Sequence, residues 1–131
     1  LDLAGRAPER YLVLDATDNI AARLAINAAC SAAGKPWIHG AVCEYTGYVT
    51  TFLPGGPCYR CLFRTPPAAV PPRGVFSPLP GVIGALEAAE AIKCLTGLGE
   101  LLVGRLLVYE SLPARWTTFA YAKDPACPVC A

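Results

Sequence analysis

The sequence predicts an α/β fold, and three features of its 131 residues carry that prediction. Tyr11-Leu12-Val13-Leu14 is a short continuous apolar run, the form of a strand buried on both faces of a parallel sheet. It ends in the polar loop Asp15-Ala16-Thr17-Asp18-Asn19, and a helical pattern and a second short strand follow, the order of a strand-helix-strand unit. Two Cys-x-x-Cys knuckles, Cys58 with Cys61 and Cys127 with Cys130, would then tie a mid-chain loop to the last residues of a larger domain.

One domain is expected at this length. The chain is 54% hydrophobic and 16% charged, which implies large buried faces, a dimer interface or a missing partner segment. A formal net charge of +1 without any basic run argues against nucleic acid or an anionic membrane as partner. No apolar run reaches the length of a membrane span. Seven cysteines cannot all pair, and no secretory signal is present, so reduced thiols in a cytoplasm are expected. The chain opens without Met, almost directly into a strand, and reads as part of something longer.

Each element follows from its pattern. Residues 1–10 are mixed and expected to be peripheral. The spacing predicts a helix over Ile20–Ala33, with Thr17, Asp18 and Asn19 as candidate N-caps and Gly34 and Pro36 as its stop. Arg23, Asn27 and Ser31 recur every four residues and predict a narrow wet stripe. Trp37-Ile38-His39 is the next strand, reached by a right-handed crossover. Residues 41–44 and 48–53 form a hairpin about Tyr45-Thr46-Gly47. Residues 64–79 hold five prolines and are expected to be a flexible crossover loop. A long, central, buried helix is expected over 80–96, stopped by Gly97, with Glu87, Glu90 and Lys93 as one thin exposed stripe. Residues 104–110 and 116–121 are strands joined through Leu112-Pro113-Ala114.

The knuckles suggest a metal. A Cys-x-x-Cys turn aims both sulfurs at one point, and Pro57 and Pro128 suit the bend. Four thiolates suit structural Zn²⁺ and leave no open position for water. Two disulfides, or two unrelated thiol pairs, are the alternatives. The gap between the knuckles is far longer than in a zinc finger, so zinc would clasp the C-terminus to a larger domain.

The loop at residues 15–19 lies where open α/β sheets place their ligands, outside strand ends and beside helix N-termini. A helix N-terminus favours phosphate, yet this one carries two carboxylates, which makes sense if Mg²⁺ bridges them to a nucleotide triphosphate. On that reading Asp18 holds Mg²⁺ and Asn19 is a neutral donor beside it. The competing reading makes Asp18 only an N-cap. No Gly-x-Gly-x-x-Gly and no Walker Gly-Lys-Ser/Thr accompanies the loop.

Six blocks share one order and spacing with a known family: VLDATDNIAARLAINAAC, GKPWIHGAV, GYVTTFLPGGPCYRCLF, PLPGVIGALEAAEAIKCLTG, LLVGRLLVYESL and DPACPVC. The chain resembles the ubiquitin-activating-enzyme-like adenylyltransferases, nearest to the branch serving molybdopterin, thiamine and sulfur-carrier pathways. The resemblance implies a Rossmann-like adenylation domain, of which residues 1–131 are the C-terminal part, usually as a homodimer. It implies ATP-dependent adenylation of a ubiquitin-like sulfur-carrier protein ending in Gly-Gly, which a sulfur donor protein then converts to a thiocarboxylate. Asp18 matches the family's Mg²⁺/ATP aspartate and Asn19 its neighbour at the nucleotide, so the functional role of Asp18 is favoured and capping can coexist with it. Cys58, Cys61, Cys127 and Cys130 match its structural zinc ligands.

Two departures stand out. The family's glycine-rich nucleotide loop, ribose-binding acid and phosphate-binding Arg and Lys lie upstream of Leu1. Many members carry a reactive Cys shortly before the long helix, where this chain reads Val70-Pro71-Pro72-Arg73-Gly74-Val75. These departures support a second reading, a non-catalytic zinc-stabilised module for protein interaction or dimerisation; a dithiol redox protein is a third. Cys30 and Cys94 are expected in the core and Cys43 packed on a strand. His39 receives no role, Arg23 is expected to be solvated, and Arg60 to steady the thiolates. Arg64 and Arg73, flanking the proline loop, are expected to be surface charge.

Overall fold

The computed structural model describes residues 11–66, 68, 71 and 73–131, so residues 1–10 and part of the proline loop lie outside the described residues. Five strands form one sheet in the order β1 (Val13–Asp15), β2 (Trp37–Cys43), β3 (Thr46–Phe52), β4 (Arg105–Glu110) and β5 (Arg115–Ala120). Only β1 and β2 are parallel, with Val13 opposite Trp37 and Asp15 opposite His39. The other neighbours are antiparallel. The helices are α1 (Ile20–Ala33), α2 (Tyr59–Leu62) and α3 (Leu79–Thr96).

Alternation along the strands splits the core in two. On one face Ile38 and Val49 pack against Leu79, Ile83 and Ala91 of α3. On the other, Trp37 and Phe52 pack against Cys30 of α1 and Tyr59 of α2. The covered part of the sheet is therefore β2 and β3, and both flanks are more open. β1 is an edge strand among the described residues, with Leu14 49% and Tyr11 56% exposed, so the expected burial on both faces does not hold. Beyond β5, Trp116 and Phe119 are half-exposed.

The helix ends are where the sequence puts them. Gly34 and Gly97 both adopt left-handed φ, 61° and 74°, and turn their N–H groups back onto the last carbonyls of α1 and α3. The expected break between His39 and Ala41 is absent, and β2 runs straight through Gly40. A β-carbon at Gly40 would collide with the Glu87 carboxylate, so glycine here serves a close approach of α3 rather than a turn. The hairpin turn is Glu44-Tyr45, with Glu44 in the left-handed region at φ 52°. The proline loop is anchored at its end: Phe76 N–H donates to Glu44 O at 2.8 Å, and Arg73 pairs with Glu44 at 2.6 Å.

Both expected polar stripes point the other way. Glu90 is buried; one of its oxygens accepts from Thr51 Oγ1 at 2.6 Å and Leu102 N at 2.8 Å, and Lys93 pairs with the other. Glu87 lies against β2 beside Gly40. The side of α3 that faces water instead carries Gly81, Gly84, Ala85, Ala88, Ala89 and Ile92, so α3 is buried on one side only. On α1, Asn27 is fully buried and Arg23 nearly so, and only Ser31 of that trio is exposed. The physical reason is the same for both helices. The surfaces they cover carry backbone and side-chain donors and acceptors that need partners, and a polar stripe supplies them.

Glu87 has a consequence for stability. Burial, with Asp15 adding repulsion, pushes its carboxyl from an ordinary 4.5 up to about 7, and its Oε1 has no hydrogen-bond partner. A raised folded-state value means stability is fully present below pH 4.5 and falls as pH rises through about 7. Glu87→Gln should flatten this dependence and raise the stability at pH 8 by about 1–2 kcal/mol, discounted because the side chain is partly exposed. Thermal melts of both proteins between pH 5 and pH 8 check it; parallel curves would refute it.

Candidate functional site

Two clusters sit along α1, one at its N-terminus and one against Asn27. At its N-terminus the chain leaves β1 through Asp15, whose carboxylate is 1% exposed. Asp15 Oδ1 accepts from Thr17 N at 2.9 Å and Thr17 Oγ1 at 2.6 Å. Asp15 Oδ2 lies 2.8 Å from His39 Nδ1 and 3.6 Å from Arg23 Nε. Arg23 Nη2 donates to Thr17 O at 3.0 Å. Burial would raise the Asp15 carboxyl, but the hydrogen bonds from His39 and Thr17 outweigh it and hold Asp15 below its ordinary value. Burial pulls His39 below 6.5 against the pull of Asp15. The pair is thus a carboxylate and a neutral imidazole, and because a carboxylate only accepts, Nδ1 carries the hydrogen.

Asn19 is the N-cap of α1, its Oδ1 accepting from Ala22 N at 2.8 Å. Asp18 does not cap. It is exposed at the mouth of the helix, and it accepts one long bond from Asn19 Nδ2 at 3.3 Å. Thr17 is taken up by Asp15. Of three candidate caps, the fold uses one and leaves the carboxylate of another facing solvent.

Seven residues beyond its first residue, at Asn27, α1 reaches the first knuckle. Asn27 Oδ1 accepts from Tyr59 N at 3.0 Å and Asn27 Nδ2 approaches Cys58 Sγ at 3.5 Å. The single turn α2 lets Cys61 N and Leu62 N both donate to Cys58 O, which puts Cys58 and Cys61 on one side. In the tail, Cys127 N donates to Asp124 O at 3.0 Å and Ala126 N to Asp124 Oδ1 at 2.9 Å, a tight turn that presents the second pair. The four sulfurs of Cys58, Cys61, Cys127 and Cys130 lie within 4.8 Å of one another, and all four are free thiols. Cys58 approaches Cys127 at 3.6 Å and Cys61 approaches Cys130 at 3.4 Å. A tetrahedron of thiolates about one ion has edges of about 3.8 Å, so this set can hold one soft tetrahedral metal. Against desolvation, the N–H groups of Cys130 and Val129 hold the Cys127 thiol down to about 7, while burial and the three neighbouring sulfurs push Cys130 up. Four thiolates this close need a cation to coexist.

Several side chains depart from expectation. Arg60 does not reach the sulfurs; its Nη2 donates to Arg64 O at 3.2 Å, and Asn27 and Asp124 N, at 3.3 Å from Cys61 Sγ, stand there instead. Arg23 is not solvated but 12% exposed beside Asp15. Cys43 is exposed, whereas Cys30 is buried in the core as expected and Cys94 half-buried. Sequence reasoning passed over Asp15, Arg23, His39 and Asn27. For Arg23 and Asn27 a signal was present in the spacing of Asn19, Arg23 and Asn27, four residues apart on an otherwise apolar helix, which fits a buried polar seam as well as a wet stripe.

The chain is thus a mixed α/β domain with an acidic loop opening α1 and a cluster of four cysteines, and comparison assigns its family. A family model described as the ThiF family matches residues 7–129, and the chain belongs to that family. It is 46% identical over 130 residues to the sulfur carrier protein adenylyltransferase of Thermus thermophilus, covering 91% of this chain and 48% of that protein. It is 44% identical over 124 residues to the SAMP-activating enzyme E1 of Haloferax volcanii, covering 91% and 46%. It is 40% identical over 134 residues to the molybdopterin-synthase adenylyltransferase of Escherichia coli, covering 98% and 54%. The chain thus spans about half the length of these curated relatives. The crystal structure of E. coli MccB with ATP has the same fold, with a TM-score of 0.76 at 22% identity over 92% of this chain and 39% of that one. Among the described residues no helix is long and apolar enough to cross a membrane.

Proposed function

We propose that this chain is the C-terminal part of an ATP-dependent adenylyltransferase that activates the C-terminal carboxylate of a ubiquitin-like sulfur-carrier protein. The observation that carries the reading is Asp18: Asn19 takes the cap, and Asp18 is left as an exposed carboxylate at the positive end of α1, in a chain 40–46% identical to proteins named adenylyltransferases. An exposed carboxylate oxygen is the hard donor that Mg²⁺ accepts, with water filling its other positions. Asp18 would hold Mg²⁺ on the triphosphate, and Asn19, whose Nδ2 donates one long bond to Asp18, would stand beside the nucleotide. Bound there, Mg²⁺ would offset charge gathering about the α-phosphate.

In this reading a carboxylate oxygen of the carrier attacks the α-phosphorus, the bond to the β-phosphate oxygen breaks, and pyrophosphate leaves with that electron pair. The nucleophile is already ionised, so no general base is needed. A sulfur donor then displaces AMP to leave a thiocarboxylate. The four cysteines would hold Zn²⁺ with no open position, a clasp outside the chemistry. The open apolar face of α3 supports a covering surface, which a homodimer would supply. A cytoplasmic setting suits the free thiols.

The test is carrier-dependent ATP–pyrophosphate exchange by the full-length native protein. Label should enter ATP only when the carrier with its free C-terminal carboxylate is present. No exchange under those conditions would retire the enzyme in favour of a zinc-stabilised interaction module.

A further inference from the structure

We propose that Asp15, Arg23 and His39 are positioning residues that fix the loop bearing Asp18; this rests on the adenylyltransferase reading and adds the device that holds its carboxylate in place. A carboxylate sealed from water is costly in a core, and an apolar residue would pack the same space without that cost. Asp15 is sealed, yet it is fully satisfied, and the distribution of its bonds is informative. Both acceptances at Oδ1 come from Thr17, by amide and by hydroxyl. At Oδ2 stand His39, which orients the carboxylate from β2, and Arg23 at 3.6 Å. Arg23 also returns to the loop through Thr17 O. Three polar groups of Thr17, its N–H, its hydroxyl and its carbonyl, are therefore held by two buried side chains. Thr17 is the residue immediately before Asp18.

The unit also has a back wall. Asn27, one turn beyond Arg23 along α1, holds the Tyr59 amide beside Cys58. The loop is thus referenced to β2 through His39 and to the first knuckle through α1. Misplacement of a charge by about 1 Å at a reacting centre costs on the order of a hundredfold in rate, so a rigid mount has a catalytic consequence although none of these side chains need touch substrate.

The experiment is carrier-dependent ATP–pyrophosphate exchange in the full-length protein, with melting temperature measured on each variant. Asp15→Ala should lower kcat per folded protein by about a hundredfold while the KM for the carrier stays unchanged. Asp15→Asn keeps an acceptor for Thr17 and should recover to within about tenfold of wild type. Thr17→Val removes only the hydroxyl bond with little change of shape; it should lose about tenfold in kcat and remains informative if Asp15→Ala does not fold. A merely structural role predicts lower melting temperatures with kcat per folded protein intact, and that result, or wild-type kcat in both Asp15→Ala and Thr17→Val, would overturn the proposal alone. Absence of exchange in the wild-type protein would overturn the enzymatic reading itself.

Discussion

Asp18→Ala in the full-length protein should reduce ATP–pyrophosphate exchange by on the order of a thousandfold with little change in stability. The two halves of this expectation come from one piece of geometry. Asp18 makes no cap: Asn19 accepts the Ala22 N–H, and among the described residues the hydrogen bond of the Asp18 side chain is the one from Asn19 at 3.3 Å. Removing an exposed carboxylate with so little to hold should shift stability by less than about 0.5 kcal/mol. Asn19→Ala is the instructive contrast, because it removes the cap and should cost about 1 kcal/mol. If Asp18 were only a helix-cap residue, the two variants would exchange these outcomes. Near-wild-type exchange by Asp18→Ala would remove Asp18 from the site, whatever the melting curves show.

Stripping the metal, or replacing Cys127 with alanine, should free the C-terminal tail and lower the melting temperature by on the order of 10 °C. Among the described residues, the polar contacts of the tail with the body are few. Residues 122–131 reach the body through Lys123 to Gly55 O at 3.3 Å, an exposed Arg64–Asp124 pair at 3.5 Å, and the sulfurs. Exposed pairs of this kind contribute under about 1 kcal/mol. A four-thiolate zinc site is worth ~10–16 kcal/mol in small peptides that fold only with metal, and less here because two apolar clusters exist without it. Zinc content should be one per chain in the native protein and near zero in Cys127→Ala, and limited proteolysis should then cut within the tail first. Exchange activity should weaken without a change in ATP KM, since the cluster meets α1 at Asn27, two turns and more from Asp18. A metal-free protein with an unchanged melting curve would show that the sulfurs clasp nothing.

Local signals were legible wherever a single residue type dictates backbone geometry. Gly34 and Gly97 end α1 and α3 because left-handed φ costs glycine little, and their positions were readable without a partner. The knuckles were readable because Cys-x-x-Cys has its own turn. The polar helix stripes were not, because a pattern of Arg23 and Asn27, or Glu87, Glu90 and Lys93, fixes a helical face but not what that face meets. Water and a surface with unpaired donors satisfy the same residues. Here Asp15, the Tyr59 amide and Cys58 met α1, and Thr51 and Leu102 N met α3. The continuity of β2 through Gly40 was not legible either, since what the glycine admits, the Glu87 carboxylate, comes from a helix far along the chain.

By itself the sequence determined the α/β class, the helix limits, the two hairpins, the four cysteines and the acidic loop. These rest on periodicity, backbone preference and the chemistry of individual side chains, all of which act within a few residues of chain. Only the tertiary structure decided which of Thr17, Asp18 and Asn19 caps α1. It alone brought His39, 24 residues away, onto Asp15, and brought two knuckles 69 residues apart within reach of one ion. Partnership across such distances is settled by competition for buried hydrogen bonds, and that competition exists only once the sheet has brought the competitors together.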